Sequence, residues 1–284
     1  MRNINSDEIT AAVKKLSMDA NYFLGDDVIK TIKSFAEKEE SPLGKEILNQ
    51  ILENSEIAKT EKLPLCQDTG LAAIFVELGA DVHIEGDTLN DAIQEGIRQG
   101  YGDGYLRKSM VVDPLRRKNT GDNTPGVIST QVVKGDKIKI TILPKGGGSE
   151  NMSAIKMLKP SDGEEGVKDF IVETVRIAGG NPCPPIIVGV GIGGSFDKCA
   201  YLAKKSLLRE VGSPNPDPYY DQMEKELLER INKIGIGPQG LGGRTTALAV
   251  HIETHPCHIA ILPEVVGPAE PMTCPGFAGD GPTK

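Results

Sequence analysis

Residues 189–194 read GVGIGG, and their surroundings constrain the fold more than any other stretch. An apolar run, Pro185–Val190, leads in, and a helical pattern begins at Ser195. Strand, glycines and helix in that order fit the G-x-G-x-x-G dinucleotide fingerprint. The rest of the fingerprint fails. An acidic residue should follow about 20 residues on, at the tip of the next strand. There the chain reads GSPNPDP, a loop that leads into another helix. Repeated βαβ units are also missing. Two other readings stay open. The simpler is a glycine-rich turn between strand and helix. The other has backbone N–H groups facing an anion or a cluster.

Hydrophobic periodicity places the remaining elements. Helices are expected at Ser6–Met18, Asp26–Glu39 and Gly44–Ala58, so the N-terminal part is helical. Leu71–Leu78 is apolar throughout and reads as a buried strand. Thr88–Tyr101 is helical. Gly104–Pro125 shows little period, and a loop that long is functional or disordered. Val127–Val133 and Lys137–Leu143 alternate on either side of Lys134-Gly135-Asp136, which predicts a hairpin. Further helices are expected at Gly163–Ile177, Ser195–Val211 and Asp217–Ile234, with a strand at Thr245–Glu253. The fold class is therefore α+β: one mixed domain with a helical N-terminus, then mixed and antiparallel sheets flanked by helices. The domain is expected to cover residues 1–263. Residues 264–284, rich in Gly and Pro, form a tail.

Net charge is −8, and the longest basic run is Arg116-Arg117-Lys118. Nucleic acid is excluded as the main partner, because phosphate binding needs clustered cations. No apolar run approaches the roughly 20 residues that span a bilayer. The polar N-terminus does not resemble a signal peptide, so a cytoplasmic location is expected. The five cysteines, Cys66, Cys183, Cys199, Cys257 and Cys274, are odd in number and scattered, which argues against a disulfide framework.

Cys66 stands beside Gln67 and Asp68 where the Leu71 strand begins, and Cys183 lies between prolines in NPCPP. Such spacing is neither a zinc ribbon nor a ferredoxin run. It leaves two readings, unremarkable loop thiols or ligands brought together from remote loops.

The motifs CQDTG, LRKS with NTGDNTP, KGGGSEN, NPCPP…GVGIGG, GLGGRTTA and HPCHIA occur in this order. Together they resemble the iron–sulfur hydro-lyases of the class I fumarate hydratase and L(+)-tartrate dehydratase family. The match is to the α subunit of the two-subunit form and covers roughly residues 1 to 263. The resemblance implies a [4Fe–4S] cluster with one open iron, held by Cys66, Cys183 and a third cysteine. It implies that Gln67 and Asp68 contact a dicarboxylate substrate, that Arg107 binds its carboxylate and that Gly148 offers a backbone N–H. Asp68 and His258 would move protons. The tail departs from the family where the third ligand should stand. Cys274 is the expected ligand, and an incomplete site is the alternative. The implied activity is reversible hydration of fumarate to (S)-malate, with L(+)-tartrate dehydration as the other member reaction. A β subunit is implied as partner, so a hetero-oligomer without nucleic acid or membrane is expected. Cys199 and Cys257 read as structural thiols. A nucleotide-dependent oxidoreductase using GVGIGG is the rival outside the family.

Overall fold

The computed structural model describes residues 1–269 and the backbone of 274–277. Helices are α1 Ser6–Tyr22, α2 Asp26–Lys38, α3 Pro42–Glu61, α4 Leu89–Asp103, α5 Gly147–Glu150, α6 Gly163–Ala178, α7 Phe196–Ser206 and α8 Pro218–Asn232. Strands are β1 Arg2–Asn5, β2 Leu71–Gly79, β3 Val82–Glu85, β4 Val127–Val133, β5 Ile138–Lys145, β6 Ala154–Leu158, β7 Ile186–Gly193, β8 Ala247–His255, β9 Leu262–Ala269 and β10 Cys274–Phe277. The class is mixed, as expected, and both larger sheets combine parallel and antiparallel pairs. Among the described residues two compact units separate, one of 1–25, 54–146 and 274–277, the other of 26–53 and 147–269. No linker marks the division in the sequence, because one boundary falls inside α3.

In the first unit the sheet order is β10-β5-β2-β4. β2 is the central strand, and Ala72, Ile74 and Val76 are buried in it. Ile138, Ile140 and Ile142 of β5, Ile93 and Ile97 of α4, and Ile9, Val13 and Leu16 of α1 belong to the same core. The expected hairpin is corrected here. β4 and β5 do not pair with each other, because β2 lies between them, parallel to β4 and antiparallel to β5. The turn at Lys134–Asp136 crosses the end of β2 instead. The N–H groups of Gly79, Ala80 and Asp81 donate to the carbonyls of Lys137, Val133 and Gly135 at 2.9, 2.8 and 2.9 Å. Alternation and turn residues look the same whether two strands touch or a third strand parts them.

In the second unit the order is β6-β9-β7-β8. GVGIGG belongs largely to β7, so the glycine-rich turn is also corrected. A Cβ on Gly189 would stand 2.3 Å from the Ala203 carbonyl, and one on Gly191 would stand 2.0 Å from that of Cys199. The glycines let the backbone of α7 lie directly on the sheet. The chain turns only at Gly193 and Gly194, which have φ of +87° and +72°.

β9 is internal although it carries Pro263 and Pro268, and it runs across the expected 263/264 boundary. Proline cannot donate to a ladder. Pro263 pairs with β6 beyond the last β7–β9 pair, and Pro268 pairs with β7 beyond the end of β6. Each proline therefore stands where β9 has one neighbour. Glu264 lies opposite Ile192, and Val266 opposite Val190, on the face of the second core. The Glu264 carboxyl is fully buried, and neither oxygen has a hydrogen-bond partner among the described residues. Burial pushes its pKa up to about 9, against the pull of the Lys156 ammonium. The acid is neutral at pH 7.

Gly191→Ala should lower stability by about 1–3 kcal/mol through overpacking. Gly102→Ala, which meets nothing within 4 Å, should gain about 0.5 kcal/mol. Urea titration checks both. The stability that neutral Glu264 contributes is fully present below its ordinary pKa of 4.5 and is lost as pH rises toward about 9. The melting temperature of Glu264→Gln relative to the wild type should therefore rise from pH 5 to pH 9, as thermal scans would show.

Candidate active site

The loop that carries Cys66 is held from beneath. The carbonyl of buried Asn21 accepts from the Leu65 N–H at 2.8 Å, and the Asn54 amide donates to the Leu65 carbonyl at 2.8 Å. Cys66 is half-buried with its Sγ 3.4 Å from the Gln67 Oε1, and Gln67 is exposed. Asp68 Oδ1 accepts from the Gly70 N–H at 3.1 Å, closing an Asx turn. Gly70 has φ of +67°, and a Cβ there would stand 2.6 Å from the Lys145 backbone. Only glycine fits this junction.

The carbonyls of Thr69 and Gly70 point inward, where the fully buried Tyr101 hydroxyl donates to them at 2.9 and 3.2 Å. Burial raises the pKa of that phenol, so it stays a donor. Thr69 ties this loop to LRKS. Its Oγ1 accepts from the Arg107 N–H at 2.9 Å and donates to the Arg107 carbonyl at 3.2 Å. Asn123 of NTGDNTP adds a second clamp. Its Oδ1 accepts from the N–H groups of Ser109 and Met110 at 2.7 and 3.2 Å, and its Nδ2 donates to the Gly70 carbonyl at 3.2 Å. The Arg107 side chain remains exposed. Cys66, Gln67, Asp68 and Arg107 are thus gathered by one hydrogen-bonded cluster in the first unit.

The second unit holds Gly148, Cys183 and His258. Cys183 is exposed, with φ of 52°, and its N–H donates to the Gly180 carbonyl at 3.0 Å. Gln239 braces this loop. Its N–H donates to the Pro184 carbonyl at 2.7 Å, and its Nε2 reaches the carbonyls of Pro184 and Cys183 at 3.1 and 3.4 Å. Behind it, buried Glu39 accepts from the Thr245 hydroxyl at 2.6 Å and from the N–H groups of Thr245 and Arg244 at 2.7 and 2.9 Å. Burial raises the Glu39 pKa, but these bonds and one from the Ser41 N–H outweigh it and hold the carboxyl at about 2. Gly148 lies against the cysteine loop, since a Cβ there would stand 2.6 Å from the Asn181 carbonyl. His258 is exposed, and its Nδ1 accepts from the Ala260 N–H at 3.2 Å.

Thr69, Tyr101, Asn123, Glu39 and Gln239 were absent from the residues expected for the site. Asn123 and Thr69 lie within its motifs; nothing local in the sequence singles out the others. Among the described residues no disulfide forms at Cys66, Cys183, Cys199 or Cys257. Cys199 is buried, its thiol raised by that burial, while Cys257 is exposed. Among the described residues no three His, Cys, Asp or Glu side chains gather as a metal site. The Cys274 side chain, the third expected ligand, lies outside the described residues. In donor chemistry, two solvent-reached thiols on braced loops fit thiolate ligation of a cluster.

A sequence model described as "Fumarate hydratase (Fumerase)" matches residues 10–269. The chain belongs to this family. A protein of Methanocaldococcus jannaschii, provisionally named L(+)-tartrate dehydratase subunit alpha, is 45% identical over 90% of this chain and 92% of its own length. The L(+)-tartrate dehydratase subunit alpha of Escherichia coli K12 is 33% identical over 94% of this chain and 88% of its own. That of Shigella sonnei shows the same 33% identity over 94% and 88%. The family is one of lyases. No described helix is long and apolar enough to cross a membrane.

Asn123→Ala should free the N–H groups of Ser109 and Met110 and cost about 1–3 kcal/mol. Trypsin should then cut the loop at Arg116 or Arg117 faster than in the wild type. An unchanged cleavage rate and melting temperature would remove Asn123 from the clamp.

Proposed function

We propose that this chain is the α subunit of a [4Fe–4S] hydro-lyase acting on a four-carbon dicarboxylate, L(+)-tartrate first. The dehydration breaks one C–H and one C–O bond, releases water and leaves an enol that rearranges to oxaloacetate. The supporting observation is the tartrate dehydratase name on relatives 33–45% identical over at least 90% of this chain. Fumarate hydration to (S)-malate is the second reading, favoured by the family description.

Cys66 and Cys183 are the proposed ligands, with Cys274 as the third. When bound, the cluster supplies a Lewis-acidic iron that polarises the C–O bond of the substrate. The protein's own groups do the rest. The Arg107 guanidinium offers a planar fork to one carboxylate, and its backbone clamp at Thr69 fixes where the fork starts. The Gln67 amide and the Gly148 N–H donate to substrate oxygens. In this reading Asp68 and His258 exchange the proton of the departing hydroxyl with solvent, and that neither is fully buried supports the role. The C–H base and further cationic contacts belong to the β subunit, so α alone is inactive. Thiols this accessible suit the reducing cytoplasm.

The test is anaerobic assembly with the β subunit, iron and sulfide analysis, and turnover of L(+)-tartrate, fumarate and (S)-malate. Tartrate should exceed fumarate in kcat/KM by about tenfold or more. The reverse order would select the second reading, and absent iron would mark an inactive scaffold. Arg107→Lys should lower kcat/KM by about 10–100-fold while iron content stays at the wild-type level.

A further inference from the structure

Residues 105–120 of the first unit build an ordered finger. Val111 and Asn119 form an antiparallel bridge. The Val112 N–H donates to the Lys118 carbonyl at 2.8 Å, and the Thr120 N–H to the Met110 carbonyl at 2.9 Å. At the tip, Asp113 Oδ1 accepts from the N–H groups of Leu115 and Arg116 at 3.0 and 2.7 Å, and its Oδ2 pairs with the Arg116 guanidinium at 2.8 Å. At the base, the Asn119 amide donates to the Lys108 carbonyl at 2.8 Å beside the Asn123 clamp.

This ordered backbone holds apolar side chains out in water. Leu115 is 90% exposed, Tyr105 88% and Val112 69%. A dicarboxylate has no use for them. Charge in the finger also opposes that of the whole. Tyr105–Lys118 carries Arg107, Lys108, Arg116, Arg117 and Lys118 against Asp113, so 5 − 1 gives +4 in a chain of −8. Asp113 answers only Arg116; Arg117 and Lys118 have no ion-pair partner among the described residues.

We propose that the finger is the docking element for the β subunit, and that the β surface offers carboxylates around an apolar pocket that takes Leu115. The proposal rests on the reading of this chain as an α subunit. An apolar anchor ringed by cations is the pattern of an interface hot spot with a charged rim. Because the hydrogen bonds already fix the finger, docking loses little backbone freedom. The cations steer an acidic partner, so association should slow as salt rises.

The experiment compares wild-type α with L115D, R117E and the double variant, each mixed anaerobically with the β subunit. Binding is read by biolayer interferometry and light scattering. The exposed substitutions should leave the α melting temperature unchanged and weaken β binding by about 30-fold or more. Ile177→Asp, a control on α6 in the second unit at a site 72% exposed, should bind as wild type. Hydrogen exchange on wild-type α should show protection of residues 110–118 when β is added. Three results would overturn the proposal: L115D/R117E binding within twofold of wild type, no protection of the finger, or a finger that mediates only α self-association. If the wild-type pair assembles through the finger yet turns over neither tartrate nor fumarate, the hydro-lyase reading falls and the docking assignment stands.

Discussion

The first unit depends on two buried backbone carbonyls, those of Thr69 and Gly70. They lie where a polar loop must enter an apolar sheet, and a buried carbonyl without a donor costs about 1–3 kcal/mol. Tyr101 and Asn123 supply the donors from α4 and from the NTGDNTP loop. The same cluster then does three jobs. It seats the start of β2, it fixes the Cys66-Gln67-Asp68 turn above, and through Thr69 it ties the Arg107 backbone to that turn. The side chains that face solvent are placed by ones that never reach it.

The second unit uses a carboxylate for the same end. Glu39 is surrounded by N–H and O–H donors from the GGRTT turn, and it stays ionised with a pKa of about 2. Glu264, on β9, has no donor among the described residues and is pushed to about 9. One residue type is held in opposite charge states in one unit. Burial opposes ionisation at both positions, more strongly at Glu264, and only Glu39 has the donors that outweigh it. Glu39 therefore works as a rigid acceptor beneath the loops that brace Cys183, whereas Glu264 behaves as a polar member of an apolar core.

Much of the architecture was legible because periodicity records burial. Every long helix and the strands β2, β7 and β8 stand close to where their patterns place them. Misreadings arose where a distant partner settles the matter. The β4–β5 pair looks like a hairpin, because nothing in either strand reports that β2 separates them. β9 was hidden by Pro263 and Pro268, whose tolerance depends on where pairing with β7 and β6 ends. The glycines of GVGIGG fit a turn or an anion site as well as a strand, because nothing local reports the α7 backbone that packs on Gly189 and Gly191. Of the site, the motif residues are expected by resemblance alone. Their supports are not, since Tyr101 and Glu39 look like an ordinary aromatic and an ordinary surface acid in the sequence.

The Arg107 backbone is fixed, but its guanidinium is exposed in the chain as a whole. An ion pair in open water contributes at most about 1 kcal/mol, because solvent screens it and both groups stay hydrated. Holding a dicarboxylate in one orientation requires the same pair to be drier and confined. The chain has spent its ordering on aiming the arginine and leaves its solvent side uncovered. On the proposed reading that cover is the β subunit. A finger continuous with the Arg107 loop is where its docking would dry the guanidinium at the moment of assembly. Assembly and substrate affinity would then be one event rather than two.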